Sequence, residues 1–506
     1  MSMVITDFLE EAVRKWPDKT VYTDPARQIS FAALRREALQ IAHALIGTGA
    51  LRQPIAVYME KGISCMSAML GTAYSGNFYT VLDLQMPAAR IDRILSVLQP
   101  RVLLTDAAHA AAAKELLPEG AVLLTLEDAL AAAVDEEAVL TRTAQIIDTD
   151  ILYVLFTSGS TGVPKGIVTA HRALIDYIEV AGEVYDLTEQ DVIANQAPFY
   201  FVLSVIDLFA PLRYGCSSLL LPASDFFAPA KLMRYLEEQK ATILNWVSSA
   251  LILIARTKAF GAANLSAVRL VIFGGEVMPV KMLKLWQEAL PEVMYVNCYG
   301  STEVTDGCTY YVIDRAFEDH EIYPLGKPFA HMRLLVLDEE NRAVTDDSIG
   351  ELCAISSSIA RGYYNDPEKT AAVFVQNPLQ SHYPEIIFRT GDLVRTNSRG
   401  ELVYAGRKDF QIKHHGHRVE LGEIEANVSA LDGVDGNCCL FHEETQRILL
   451  LYTGKAEVSF IQDRLRALLP PYMIPDKTVH LEAFPYNVNG KIDRSKLKAQ
   501  QEELWK

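Results

Sequence analysis

An apolar run, ILYVLF at positions 151–156, stops abruptly at TSGSTGVPKG, positions 157–166. Glycine accepts positive φ and lets a backbone come close. The amides around Gly159 and Gly162, with the hydroxyls of Thr157, Ser158, Ser160 and Thr161, are therefore suited to converge on phosphate oxygens. Lys165 adds a cation and Pro164 stiffens the turn. A Walker loop is excluded by spelling, because Gly-Lys followed by Ser or Thr is required and Pro-Lys-Gly stands here. A surface loop without function is the plainer alternative. Ten residues of this kind directly after a buried strand favour a phosphate site. A second cluster, His414, His415 and His417, invites a metal reading. Adjacent residues of a strand point to opposite faces, so three imidazoles on one strand do not converge, and no metal is expected there.

The elements that carry these groups read as an α/β fold. Positions 55–57, 122–124, 151–156, 243–245, 270–273 and 295–297 are expected as buried strands. Segments 31–46, 63–75 and 230–238 between them have amphipathic helical spacing. Alternation of this kind implies layered, mostly parallel sheets. From position 334 the texture becomes LLVLD, GELCAI and ELVYAG, short strands separated by turns, which suggests a small antiparallel module. After the polar stretch 406–409 a compact α+β unit is expected, giving domains 1–408 and 409–506.

The bulk numbers agree. At 506 residues the chain exceeds one ordinary domain, and half of it is apolar. A formal charge of −17 repels nucleic acid and anionic membranes, so neither is expected as a partner. Seven cysteines form no CxxC pair, which fits reduced thiols in a cytoplasmic protein. The first twenty residues lack the apolar core of a signal peptide, and no apolar stretch is long enough to span a bilayer.

TSGSTGVPKG resembles the phosphate loop of the adenylate-forming superfamily of acyl-CoA synthetases, luciferases and peptide-synthetase adenylation domains. Four further segments resemble that family's motifs in order and spacing: NCYGSTEVT from Asn297, FRTGDLV from Phe388, GRKDFQIKHHGHRVELGEIE from Gly406 and NVNGKIDR from Asn487. The resemblance implies a large N-terminal domain and a small mobile C-terminal one, ATP as co-substrate and Mg²⁺ as cofactor. It implies that Asn297, Tyr299, Gly300 and Ser301 line the nucleotide site, that Thr302 and Glu303 are catalytic, and that Glu303 holds Mg²⁺ through hard oxygen ligands. Asp392 would accept from the ribose hydroxyls, with the Arg407 fork nearby. Lys491 matches the lysine that bridges the attacking carboxylate and the α-phosphate, stabilising the transition state electrostatically.

In that family an adenylate forms first and the acyl group then passes to a thiol, the C-terminal domain rotating about a hinge residue, here Asp409. The strand expected to contain His415, Gly416 and His417 would then line the pantetheine tunnel. HGHRVELGEIE resembles the form typical of peptide-synthetase adenylation domains more than of CoA ligases, and GGEVMPV resembles stand-alone D-alanine–carrier-protein ligases. No GG-x-S carrier site follows Lys491, so a separate phosphopantetheinyl carrier protein is the expected acceptor, with free CoA as the alternative.

The acid pocket departs from the family pattern. Amino-acid-activating relatives carry Asp in an F-D-x-S segment to bind the α-ammonium, whereas here Phe201 is followed by Val202, Leu203 and Ser204. Valine does not compensate a desolvated ammonium. Carried over residue by residue, the pocket comprises Phe201, Val202, Leu203, Ile206, Asn245, Ile272, Gly274, Gly275, Cys298, Asp306 and Gly307. Asp306 is its one carboxylate, which suggests a substrate amine displaced from the α position, as in a β- or other ω-amino acid. The alternatives are an Asp306 that caps a turn, with an uncharged keto, hydroxy or aryl acid as substrate, and an α-amino acid bound differently. A non-catalytic nucleotide-binding relative is disfavoured by intact Glu303, Asp392 and Lys491.

Overall fold

A computed structural model describes residues 3–159, 163–443, 445–485 and 492–505. The chain divides into two compact units. The first comprises Met1–Leu84, Leu98–Leu155 and Gly166–Lys408, and the second Gln85–Val97, Phe156–Lys165 and Asp409–Lys506.

In the first unit, a nine-stranded sheet has six parallel strands at its centre: Met294–Tyr299, Leu270–Gly274, Ile243–Val247, Val192–Asn195, Ser217–Leu220 and Thr20–Thr23. Antiparallel strands close both edges. Strands Ile243–Val247 and Leu270–Gly274 are buried at every position, as covered parallel strands should be. A second sheet orders Val122–Thr125, Val102–Thr105, Pro54–Tyr58 and Phe78–Val81 before the strand Ile151–Thr157, all paired in parallel. Helices cover these layers because their apolar stripes need burial. In Phe31–Gly47 the Ser30 hydroxyl caps the Ala33 amide, and Phe31, Leu34, Ala38, Leu39, Ile41, Ala42 and Leu45 are buried. The antiparallel module expected from position 334 is the sheet of Met332–Leu337, Gly350–Ser356, Ile386–Thr396, Phe374–Gln376 and Leu402–Arg407.

Two sequence expectations need correction. Val122–Thr125 is a strand but not a buried one, since it is the edge of its sheet and Val122 is 39% exposed. His415 and Gly416 do not lie on a strand. They form the two-residue turn between strands Gln411–His414 and His417–Glu420, with φ of 52° and 82°. Positive φ at both positions is the geometry that matches strand twist in a tight hairpin, and glycine meets it without strain.

The second unit packs helix Leu421–Ser429 and helix Val458–Leu468 on the sheet of Val434–His442, Arg447–Gly454 and Lys477–His480. Among its buried side chains are Val419, Ile424, Val428, Cys439, Ile448, Leu450, Ile461 and Leu465. Arg494 ties helix Arg494–Ala499 to this core through both oxygens of Glu425, at 2.5 and 2.7 Å, and through the Cys439 carbonyl at 2.8 Å. No helix among the described residues is long and apolar enough to cross a membrane.

Candidate active site

In the first unit Asn245, Ile272, Gly274, Asn297, Cys298 and Tyr299 lie on adjacent parallel strands, whose carboxyl ends are where ligands bind in such folds, while Asp392 and Arg407 lie on the antiparallel module. Asn245 pairs with Ile272, and Gly274 with Cys298, across three adjacent strands. Close approach explains the glycine at 274, since a Cβ there would lie 2.2 Å from the Cys298 carbonyl oxygen. Gly300 is as strict, because its Cβ would fall 1.6 Å from the Asp306 carbonyl oxygen. Between them the chain makes one tight turn, Thr302–Val304, and then leaves through Thr305 and Asp306 at φ of 56° and 80°.

That turn buries Thr302 and buries Glu303 completely. The Tyr363 hydroxyl donates to Glu303 Oε1 at 2.9 Å, and the Ala360 amide donates to the Glu303 carbonyl at 2.8 Å. Asp392 is gripped on both oxygens. Arg407 donates to Oδ1 at 2.6 Å and the Tyr299 hydroxyl to Oδ2 at 2.5 Å. A carboxylate has about four lone-pair sites, so this grip orients Asp392 and leaves acceptor capacity for two ribose hydroxyls. Burial, and then the Asp392 charge, hold the Tyr299 phenol well above its usual range, so it stays a donor. Asn297 is engaged with the Pro324 carbonyl at 2.9 Å.

The acid pocket lies among core side chains. Val202, Ile206, Ile272 and Cys298 belong to one buried apolar cluster and Leu203 to another, while Phe201 is half-buried. Asp306 is 8% exposed, and its Oδ2 accepts from the Tyr177 hydroxyl at 2.7 Å. Its charge adds to burial in pushing up the Cys298 thiol and the Tyr177 phenol. Gly307 leaves room for Tyr177, whose ring would sit 2.9 Å from a Cβ there. Gly275 follows its strand at φ of 82° and is half-buried.

Sequence reasoning missed the carboxylate beneath this pocket. Asp207 is fully buried and accepts from Asn195 Nδ2 at 2.7 Å and Asn245 Nδ2 at 2.9 Å. Burial raises its carboxyl to about 8 against the pull of these amides. Lys61, lowered chiefly by burial, caps the strand ends through the carbonyls of Asn195, Gln196 and Leu221 at 3.2, 3.1 and 2.7 Å. A signal existed, because an Asp inside the apolar run SVIDLF has to be paired or buried neutral.

The second unit holds the phosphate loop. Ser160, Thr161, Gly162 and Lys491 lie outside the described residues. Ser158 is buried; its hydroxyl donates to the Arg418 carbonyl at 2.8 Å and accepts from the Glu420 amide at 3.2 Å. Carboxylates stand at the loop's donors. Glu423 Oε2 accepts from the Gly159 amide at 3.2 Å while its other oxygen pairs with Arg90, and Lys165 meets Glu420 at 3.2 Å. A loop whose donors suit carboxylates suits phosphates by the same chemistry. Asp409 starts this unit's last stretch, and its carboxylate accepts from the Gln411 amide at 3.2 Å. In the hairpin, His414 Nδ1 bonds the Tyr472 carbonyl at 2.6 Å and His417 stacks on the Tyr472 ring at 3.8 Å. Burial, then the neighbouring imidazoles, lowers His417 to about 4.

The residues fit a nucleotide. Buried hydroxyls at Thr157 and Ser301 find no hydrogen-bond partner among the described residues, which is costly unless a ligand supplies one. Glu303 offers the hard oxygen that Mg²⁺ prefers.

The comparisons agree. The family model described as AMP-binding enzyme matches residues 9–364. Tyrocidine synthase 1 of Brevibacillus parabrevis is 30% identical over 499 residues, covering 97% of this chain and 44% of that protein. The chain thus spans less than half the length of this curated relative. Among solved structures, IdnL1 is 25% identical with a TM-score of 0.83, covering 95% of this chain and 99% of that one. Holo-PA1221, a peptide-synthetase protein containing adenylation and carrier domains, shares the fold at a TM-score of 0.83 and 24% identity, covering 99% and 84% of the two chains. The chain therefore belongs to the AMP-binding enzyme family, within the adenylate-forming superfamily.

Proposed function

We propose that this chain activates a small non-α amino acid, such as a β-amino acid, as its adenylate and passes it to the pantetheine thiol of a separate carrier protein. One observation carries the substrate reading: Val202 stands where an ammonium-binding Asp is expected, while another of the expected pocket residues, Asp306, is a buried carboxylate. The Tyr177 hydroxyl orients one oxygen of Asp306. An ammonium at the far end of the substrate compensates that buried charge, and an α-ammonium beside Val202 does not.

In the first step a substrate carboxylate oxygen attacks the α-phosphorus and the bond to the β-phosphate oxygen breaks, releasing pyrophosphate. Lys491 is proposed to stabilise the charge of the pentacovalent state, while Thr157, Ser158, Gly159 and Lys165 hold the departing phosphates. Asp392, fixed by Arg407 and Tyr299, orients the ribose. Glu303 is proposed as the Mg²⁺ ligand, the ion supplying charge neutralisation at the phosphates when bound. In the second step a thiol sulfur attacks the acyl carbon, loses its proton and displaces AMP. Asp409 is proposed as the pivot between the steps. The peptide-synthetase form of HGHRVELGEIE supports a carrier thiol over CoA.

The Tyr177–Asp306 hydrogen bond supports a second reading, an uncharged keto, hydroxy or aryl acid, because Tyr177 partly satisfies the carboxylate. ATP–pyrophosphate exchange over a panel of acids separates the readings. β- or ω-amino acids are expected to give the strongest exchange. Exchange confined to α-amino acids, or to uncharged acids, contradicts the proposal.

A further inference from the structure

Resting on the reading of Glu303 as the Mg²⁺ ligand, we infer that Tyr363 is its positioning residue, and that segment 360–364 braces the metal carboxylate against the strand leaving the phosphate loop. A buried carboxylate on a single turn has freedom about its terminal torsion, which is broad and weakly restrained. The Tyr363 hydroxyl restrains that torsion by donating to Oε1 at 2.9 Å.

Tyr363 is itself tightly held. It forms an antiparallel bridge with Ile167, and its amide donates to the Thr370 hydroxyl at 2.9 Å. Its ring meets Phe374 edge-on, and it packs in a small cluster with Ile167 and Ala360. The same short segment grips strand Lys165–Ala170 at three points. The Arg361 amide donates to the Val168 carbonyl at 2.8 Å, the Val168 amide to the Gly362 carbonyl at 3.0 Å, and the Tyr364 amide to the Gly166 carbonyl at 2.7 Å. Together with the bond from the Ala360 amide to the Glu303 carbonyl, these contacts fix the carboxylate relative to the loop's exit strand through one rigid stretch. The phenol is not a catalytic residue; it acts through the carboxylate it orients.

The test compares Tyr363→Phe, Glu303→Gln and the double variant in the full chain. Two quantities are read: the half-saturating Mg²⁺ concentration for pyrophosphate exchange, and ATP binding by calorimetry with Mg²⁺ and with EDTA. Tyr363→Phe is expected to raise the half-saturating Mg²⁺ about 3- to 10-fold, the scale of one hydrogen bond, and to weaken ATP binding only when Mg²⁺ is present. The double variant should be no worse than Glu303→Gln, because coupled residues are not additive. An unchanged Mg²⁺ dependence for Tyr363→Phe beside a shifted one for Glu303→Gln overturns the inference alone. Equal loss of ATP binding with and without Mg²⁺ also overturns it, as a merely structural role would give that. An unchanged Mg²⁺ dependence for Glu303→Gln overturns both this inference and the reading beneath it.

Discussion

At the scale of single residues, the site is built from charges whose environments are arranged before any ligand arrives. Asp392 has its oxygens set by Arg407 and Tyr299, and Asp306 is aligned by Tyr177. Asp207 supports the pocket from below by holding Asn195 and Asn245 at once. Replacing it with alanine takes the carboxylate acceptor from both amides and leaves Asn245 Nδ2 the Leu203 carbonyl alone among its acceptors in the described residues. Asp207→Ala is therefore expected to lose roughly 2–4 kcal/mol in urea denaturation, with Asp207→Asn losing less. An Asp207→Ala protein as stable as the parent contradicts the buried network. The motif residues were legible because their chemistry survives in one dimension: a glycine-rich turn, an acid after Gly-Ser-Thr, an acid after Thr-Gly. Tyr177, Tyr363, Lys61 and Asp207 were not. Each gains its meaning from a partner or a burial that the fold alone supplies, as with Tyr177 and Asp306, 129 positions apart.

At the scale of elements, strands and helices fell where periodicity placed them, and the failures were at turns and edges. The histidine run looked continuous with its strand, yet positive φ at His415 and Gly416 folds it into a hairpin. Val122–Thr125 carries the β-branched pattern of a buried strand but has a neighbour on one side alone. Helix His171–Val184 carries a condition on pH. His171 is buried at its first position and accepts the Ile5 amide on Nδ1. Burial lowers it to about 4, outweighing the attraction of Asp150 and Asp148. The unfolded chain binds a proton near its ordinary value while the folded chain refuses it, so stability falls as pH drops from about 6.5 toward 4. The loss is expected to be on the order of 3 kcal/mol, read as the difference in pH slope between the parent and His171→Asn in chemical denaturation. Identical slopes contradict the assignment.

At the scale of the molecule, the sequence changes texture at positions 406–409, and Asp409 begins the last of the three stretches that make up the second unit. That this unit also takes in residues 85–97 and 156–165 was not visible, because contacts such as Arg90 with Glu423 and Gly159 with Glu423 join segments more than 250 positions apart. The whole chain is what the central claim concerns: adenylation of an acid whose amine lies away from the α-carbon. The direct measurement is ATP–pyrophosphate exchange by the parent and Asp306→Ala with β-alanine, L-alanine and propionate as a matched set. The account predicts that β-alanine drives exchange best in the parent. Asp306→Ala should lose it by about 100-fold, the scale of an unpaired buried charge, while propionate is nearly unaffected. Preference for L-alanine in the parent, or equal loss with β-alanine and propionate in the variant, would contradict it.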